Sequence, residues 1–267
     1  MTATAVHCPD LSVSTGAGEI LRLRRHRIEA GELVALLGPN GAGKTTYLRC
    51  LLGMQSHARG QLSVLGRELA RLGAGEMAAL RQRVGYVPQM LPARSEMPLT
   101  VREVVAIGRT GVRGLLRRLR REDRRIVDEW IDRLGLSELA QRGFGDISGG
   151  EQRKTLIARA MVQQPEMLLL DEPTANLDLG WRERIVALID ELYRSMSLTV
   201  ILVCHELEVL PPSCGRVVVL EDGRVVADGA CADVLTTALI EELYGRGLDV
   251  VGRSGRWTVV PRETTNV

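Results

Sequence analysis

Short runs with almost no polar side chain recur along the chain: Leu33–Leu37, Val84–Val87, Met167–Leu170, Thr199–Val203 and Val217–Leu220. Runs of this length, bounded by glycine or proline, predict strands buried on both faces, as in a parallel sheet. Pro88 closes the second of them, where a missing amide ends a ladder. Between the runs the period lengthens. From Gly43 to Gly53, Tyr47, Leu48, Leu51 and Leu52 recur at helical spacing, and in Arg182–Arg194 Ile185, Leu188, Ile189 and Leu192 share one face. Strand, helix, strand is the grammar of an α/β sheet. Val217–Leu220 and Arg224–Ala227 flank Asp222-Gly223, a pair suited to a positive-φ turn, and so predict a hairpin. Between Gln89 and Ser148 the strand pattern gives way to helical pattern. Thr100–Glu103 reads as a capping box, and Glu122–Leu134 as a second helix. From about Cys231 a tail follows, with a short helical stretch and a small hairpin from Leu248–Val251 and Trp257–Val260.

Composition narrows the class. The chain has 267 residues, 45% hydrophobic and 25% charged, an ordinary folded mix. Lys+Arg is 35 against Asp+Glu 33, a net +2 that gives no reason to expect nucleic acid as partner. No run approaches the length of a membrane-spanning helix, and Met1–Asp10 has no export-signal pattern. The 5 cysteines lack paired spacing, which predicts reduced thiols in a cytoplasm; adjacent Cys204 and His205 make a poor zinc site. Arginines crowd positions 113, 117, 118, 120, 121, 124 and 125, either a solvated helix face or a surface for lipid head groups or a membrane partner. Only two lysines occur, Lys44 and Lys154, so their positions draw notice.

Lys44 lies in Gly38-Pro39-Asn40-Gly41-Ala42-Gly43-Lys44-Thr45, which fits G-x-x-x-x-G-K-[ST] between a buried strand and a helix. Glycines there let successive amides face inward as an anion nest, and the helix dipole points at the same place. Lys44 adds a mobile positive charge for the outer phosphates of a nucleotide, and Thr45 a hydroxyl for Mg²⁺. Asp171 and Glu172 follow another apolar strand, whose carboxyl end belongs beside the loop. Asp171 suits Mg²⁺, and Glu172, one residue on, suits a base for water.

Ile147-Ser148-Gly149-Gly150-Glu151-Gln152 precedes that pair by about twenty residues. With it, the chain resembles the ATP-binding subunit of an ATP-binding-cassette (ABC) transporter, most similar to importers of metal ions, iron chelates, haem or cobalamin. Gly38–Thr45 resembles Walker A, Gln89 the Q-loop glutamine, Ser148–Glu151 the signature and Leu168–Glu172 Walker B. Ala175–Asp178 resembles the D-loop and His205 the switch histidine. The resemblance implies an α/β fold: a P-loop NTPase core with a mostly parallel sheet and flanking helices, a helical ABC-type subdomain, and an N-terminal antiparallel β portion. It implies an ATP-binding domain over 1–230, with core about 1–89 and 160–230, a helical insert about 90–159, and a C-terminal extension over 231–267.

Its further implications are an ATPase that powers transport, with ATP and Mg²⁺ as cofactors. Gly38 to Thr46, Gln89, Ser148, Gly149, Gly150 and Asp178 would contact nucleotide; Thr45, Gln89 and Asp171 would hold the metal; Glu172, His205 and Lys44 would be catalytic. Two copies would trap ATP head to tail, each signature capping its twin's phosphate loop. Membrane permease subunits, a substrate-binding protein and a place on the cytoplasmic face complete the expectation, with residues about 90–105 docking the channel. Exporter ATPases, and less so DNA-acting members of the class, are the alternatives. Three departures stand out. Ile147 replaces the usual leucine and Glu151 the usual glutamine. At Thr15, sixteen residues before Gly31, the aromatic expected beside adenine is missing.

Overall fold

A computed structural model describes residues 3–16, 18–89, 99–114 and 117–262. The chain opens with two long antiparallel strands, β1 (Thr4–Thr15) and β2 (Gly18–Glu29). Their inward positions, Val6 and Cys8 then Leu11 and Val13, and Leu21 and Leu23 then His26 and Ile28, slip phase by one at Pro9–Asp10 and Arg24–Arg25. Arg25 absorbs the slip at φ +51°. Next comes β3 (Leu33–Leu37), buried at every residue, then α1 (Lys44–Leu51). The two strands β4 (Ala58–Val64) and β5 (Arg67–Glu68) meet through Leu65-Gly66, both at positive φ as a tight hairpin needs. The helix α2 (Ala74–Gln82) leads into β6 (Val84–Val87).

The helical part comprises α3 (Val101–Arg113), α4 (Arg121–Arg133) and α5 (Gly149–Met161). Thr100 caps α3 with Glu103 in the reciprocal box that the pattern predicts. Gly108 lets α3 lie directly on α5, since a methyl there would meet the Arg159 carbonyl. Asp123, fully buried, accepts from Arg109 Nε (3.0 Å) and Nη2 (2.8 Å), Arg113 Nε (2.7 Å) and the Arg120 amide (2.9 Å). Burial opposes its charge, but these donors win and hold its carboxyl at about 2. Thus Arg113 leaves the arginine cluster to serve the interior, while Arg117, Arg118, Arg120, Arg121, Arg124 and Arg125 stay exposed.

The chain then returns to the sheet through β7 (Met167–Asp171), α6 (Leu179–Ser195), β8 (Thr199–Val203), β9 (Arg216–Glu221) and β10 (Arg224–Ala230). It ends with α7 (Cys231–Val234), α8 (Thr237–Tyr244) and the hairpin β11 (Leu248–Arg253) and β12 (Arg256–Pro261). Among the described residues one sheet of 10 strands runs β5-β4-β1-β2-β10-β9-β3-β8-β7-β6. From β9 to β6 it is parallel; from β5 to β2 it is antiparallel. The two parts join where β2 meets β10 at Arg22 and Arg224. A hydrophobic core lies on each face, one against α1 and the other continuous with the helical part. The carboxyl ends of β3, β6, β7 and β8 therefore emerge together, which is where this sheet type places a site.

Candidate functional site

The loop after β3 is shaped by glycines at positive φ: Gly38 (+147°), Gly41 (+84°) and Gly43 (+96°). A side chain at Gly38 would collide with the Leu220 carbonyl, so the loop rests on β9 without side chains between. The helix α1 starts with no side-chain cap and no acidic residue in its first turn. Its leading amides thus have no capping side chain among the described residues, an arrangement that suits an anion. Lys44, 5% exposed, donates to the carbonyls of Gly38 (2.6 Å) and Pro39 (2.8 Å). Burial pushes its pKa down, while nearby Glu172 and Asp171 pull it back up.

Thr45 Oγ1 donates to Asp171 Oδ1 at 3.1 Å, and the Tyr86 hydroxyl to Asp171 Oδ2 at 3.3 Å. Burial raises the pKa of Asp171 against these two hydroxyl bonds. Glu172, the next residue, turns away through a left-handed φ of +46° while its amide donates to Val203 O (3.1 Å). Its Oε2 accepts from Gln89 Nε2 at 2.5 Å and lies 3.5 Å from His205 Nδ1. Register explains the meeting: Asp171 pairs with Val203 and Leu170 with Val87, so the residues beyond each strand end share one rim. A polar cleft of about 320 Å³ opens there, lined by Asn40, Gln89, Glu172, Asn176, His205 and Glu206.

Ser148, Gly149 and Asp178 are elsewhere, at exposed helix starts. Ser148 caps α5 and donates from its amide and hydroxyl to Glu151 Oε2, each at 2.7 Å. Asp178 caps α6 by accepting from the Trp181 amide at 2.9 Å. Gly150 is buried under the Trp181 ring, which a methyl there would enter. The structure thus brings together Lys44, Thr45, Gln89, Asp171, Glu172 and His205, and sets the Ser148 turn apart from them. Of the stretch about 90–105 read as a docking segment, 90–98 lie outside the described residues.

Sequence reasoning missed several supports. Arg153 of α5, 3% exposed, donates to the Pro88 (2.7 Å) and Gln89 (3.1 Å) carbonyls and so ties the helix of the Ser148 turn to the glutamine at the rim. Arg182 bonds Glu206, beside His205, at 2.6 Å. Neither has a local signal, since each partner is far along the chain. Tyr86 had one: it stands two residues before Pro88 on a strand already identified.

Residues 24–175, more than half of the chain, match the ABC transporter family. The chain belongs to the ABC transporter family. It is an ATP-binding, ATP-hydrolysing transporter subunit, and no helix among the described residues is long and apolar enough to cross a membrane. Over 249 residues it is 34% identical to the hemin import ATP-binding protein HmuV of Bordetella avium, covering 91% of this chain and 92% of the relative. Identity is 32% over 244 residues to the zinc transport system ATP-binding protein TroB of Treponema pallidum, at 91% and 88% coverage. It is 34% to the phosphonates import ATP-binding protein PhnC of Alcaligenes faecalis, at 90% and 87%. In fold it follows a solved metal-chelate type ABC transporter chain in an inward-facing conformation, with TM-score 0.79, 24% identity, and 99% and 100% coverage.

Proposed function

We propose that this ABC ATPase drives import of a metal ion or metal chelate, working as a pair on the cytoplasmic face of a membrane with permease subunits and a substrate-binding protein. The observation that carries the reading is the meeting of Glu172 with Gln89 and His205 at one polar cleft, with Asp171, the residue before Glu172, bonded to Thr45 of the glycine loop. Relatives named for zinc, haem and manganese support the cargo class.

In this reading the amides of Gly38 to Thr46 cradle the triphosphate of ATP, and Lys44 leaves its carbonyls for the outer phosphates. Asp171, Thr45 and Gln89 would hold Mg²⁺. The donor set fits: all three offer hard oxygens, and Asp171 is a buried carboxylate with only hydroxyl partners. Mg²⁺, when bound, neutralises charge on the phosphate oxygens. Glu172 accepts a proton from the attacking water, and its Gln89 and His205 neighbours fix its orientation. His205 contacts the γ-phosphate. The partner's Ser148 hydroxyl and Gly149 and Gly150 amides cap that phosphate, and Asp178 lies at the same seam. Leu179, 75% exposed beside Asp178, supports a covered surface there. The helical insert, about 90–159, moves against the core (about 1–89 and 160–230) as ATP closes the pair.

The test is uptake of zinc, manganese, haem and phosphonate by a strain lacking this chain, complemented with wild type or Lys44→Ala. Wild type should restore uptake of one metal or metal complex and Lys44→Ala should not. Restored phosphonate uptake alone, or an efflux defect, would overturn the assignment.

A further inference from the structure

The His205 ring is held loosely. Its Nδ1 makes no hydrogen bond and stands 3.5 Å from Glu172 Oε2, and Nε2 stands 3.5 Å from Glu206 Oε1. The position of the imidazole therefore follows the backbone that carries it. On one side that backbone is fixed by β8 and by the Cys204 amide, which donates to Leu36 O at 3.1 Å. On the other, the chain runs through Glu206, a 3₁₀ turn at Leu207–Val209, and Pro211-Pro212.

Besides the burial of Leu207, Val209 and Leu210, two polar attachments among the described residues hold this second side. Arg182, in the first turn of α6, reaches Glu206 (2.6 Å) and also donates to Leu177 O (3.0 Å). The second attachment is the C-terminal hairpin. Thr258 Oγ1 and the Val259 amide both donate to Glu208 Oε1, at 2.7 and 2.9 Å. Arg256 of the same strand pairs with Glu183 of α6 at 2.7 Å, next to Arg182. At the hairpin tip Gly255 abuts Pro212, leaving no room for a side chain. The hairpin is itself anchored on α8, where Thr237 Oγ1 accepts from the Val250 amide (3.2 Å) and Glu241 pairs with Arg262 (3.3 Å). β12 thus spans the switch segment and α6, and clamps one to the other.

We infer that the C-terminal hairpin, acting through Glu208, is a positioning brace for His205. The inference rests on the reading of His205 as a γ-phosphate contact. Glu208 touches no reacting atom; two donors on its carboxylate keep the 3₁₀ turn seated, so the imidazole meets phosphate without a reorganisation step. Without the brace the segment samples other positions, and the fraction of competent sites falls.

Single-turnover and steady-state ATPase rates of the purified full chain test this, using Glu208→Ala, Glu208→Gln, His205→Ala and the Glu208→Ala/His205→Ala double variant. Glu208→Ala should lower kcat about tenfold with KM for ATP unchanged, as expected for two charge-assisted bonds on one acceptor. Glu208→Gln, whose amide oxygen still accepts from both donors, should recover most of the rate. On the His205→Ala background, Glu208→Ala should cost nothing further. Amide exchange across 205–212 should quicken in Glu208→Ala. A Glu208→Ala rate equal to wild type beside an inactive His205→Ala would overturn the brace alone. So would an equal further loss on the His205→Ala background. Full activity in His205→Ala would instead remove the reading of His205, and the brace with it.

Discussion

Glu172 is held in a backbone conformation that a residue with a Cβ resists, and the cost is measurable. At φ +46° it lies in the left-handed region, which disfavours a side-chain-bearing residue by ~1–2 kcal/mol. Glycine escapes that cost but gives back ~0.5–1 kcal/mol through the freedom of its unfolded chain. Glu172→Gly should therefore be more stable than Glu172→Ala by about 0.5–1 kcal/mol, or roughly 1–4 °C in melting temperature for a chain of this size. Both variants lose the carboxylate that accepts from Gln89, so that term cancels between them. Both also lose the proposed base, which should slow hydrolysis by ~10²–10⁴-fold while ATP still binds. Thermal unfolding of the two variants, with single-turnover hydrolysis and nucleotide binding on the same samples, reads both effects. An alanine variant melting at or above the glycine variant would refute the strain. Turnover within a few-fold of wild type would refute the base.

Three further outcomes are expected. His26, buried against the Tyr47 hydroxyl at 2.9 Å, has its pKa lowered by burial from 6.5 to about 4, so its neutral form contributes stability that is complete above pH 6.5 and is lost as pH falls toward 4; denaturant titrations should show about 3 kcal/mol of loss across that window, and His26→Gln should flatten it. Asp123→Ala leaves Arg109 buried and unpaired, so it should cost about 3–5 kcal/mol and lower the melting temperature by ~10 °C, whereas unchanged melting would mean that the cluster is dispensable. Glu151 is held below the usual carboxylate range by hydrogen bonds from Ser148 and is charged at neutral pH; Glu151→Gln should tighten ATP-dependent pairing, read by sedimentation in a hydrolysis-blocked background, and weaker pairing would contradict the placement of Ser148 at a partner's phosphate.

The parallel half of the sheet was legible because its strands are buried on both faces, leaving runs such as Met167–Leu170 that no amphipathic helix would produce. β1 and β2 were not legible individually, because their alternation breaks at Pro9 and Arg25, and a strict period-two reading loses them there. The turns Leu65-Gly66 and Ser254-Gly255 share the positive-φ geometry of Asp222-Gly223, but the first lies between strands too polar to mark it, whereas the other two are flanked by apolar runs. α2 buries Leu80 alone and so carries almost no pattern. At the site, motif order singled out the residues that the fold brings together, Thr45 with Asp171, and Gln89 and His205 with Glu172. What holds those residues was not readable. Arg153 under the Gln89 carbonyl, Trp181 over Gly150 and the hairpin on Glu208 are pairings between distant segments, and no local spacing encodes them.

The starts of α1, α5 and α6 differ in a way that bears on the proposed order of events. α5 and α6 are satisfied internally, by Ser148 with Glu151 and by Asp178. α1 has no such cap. Its orphan amides gain partners only from an anion, so nucleotide capture by one chain completes an unfinished helix and needs no second copy. Ser148 is in the opposite position. To donate to a phosphate across a dimer seam, its hydroxyl must first release Glu151 at 2.7 Å, and the released carboxylate then opposes the incoming charge. Capture is thus favoured by the fold of the single chain, while closure works against a contact the chain already makes. A nucleotide that fills the first site but presents no γ-phosphate to the second supplies nothing to offset that contact. In the proposed pair, the difference between the capped and uncapped helices would make ATP binding precede pairing, and would make pairing depend on the one phosphate that hydrolysis removes.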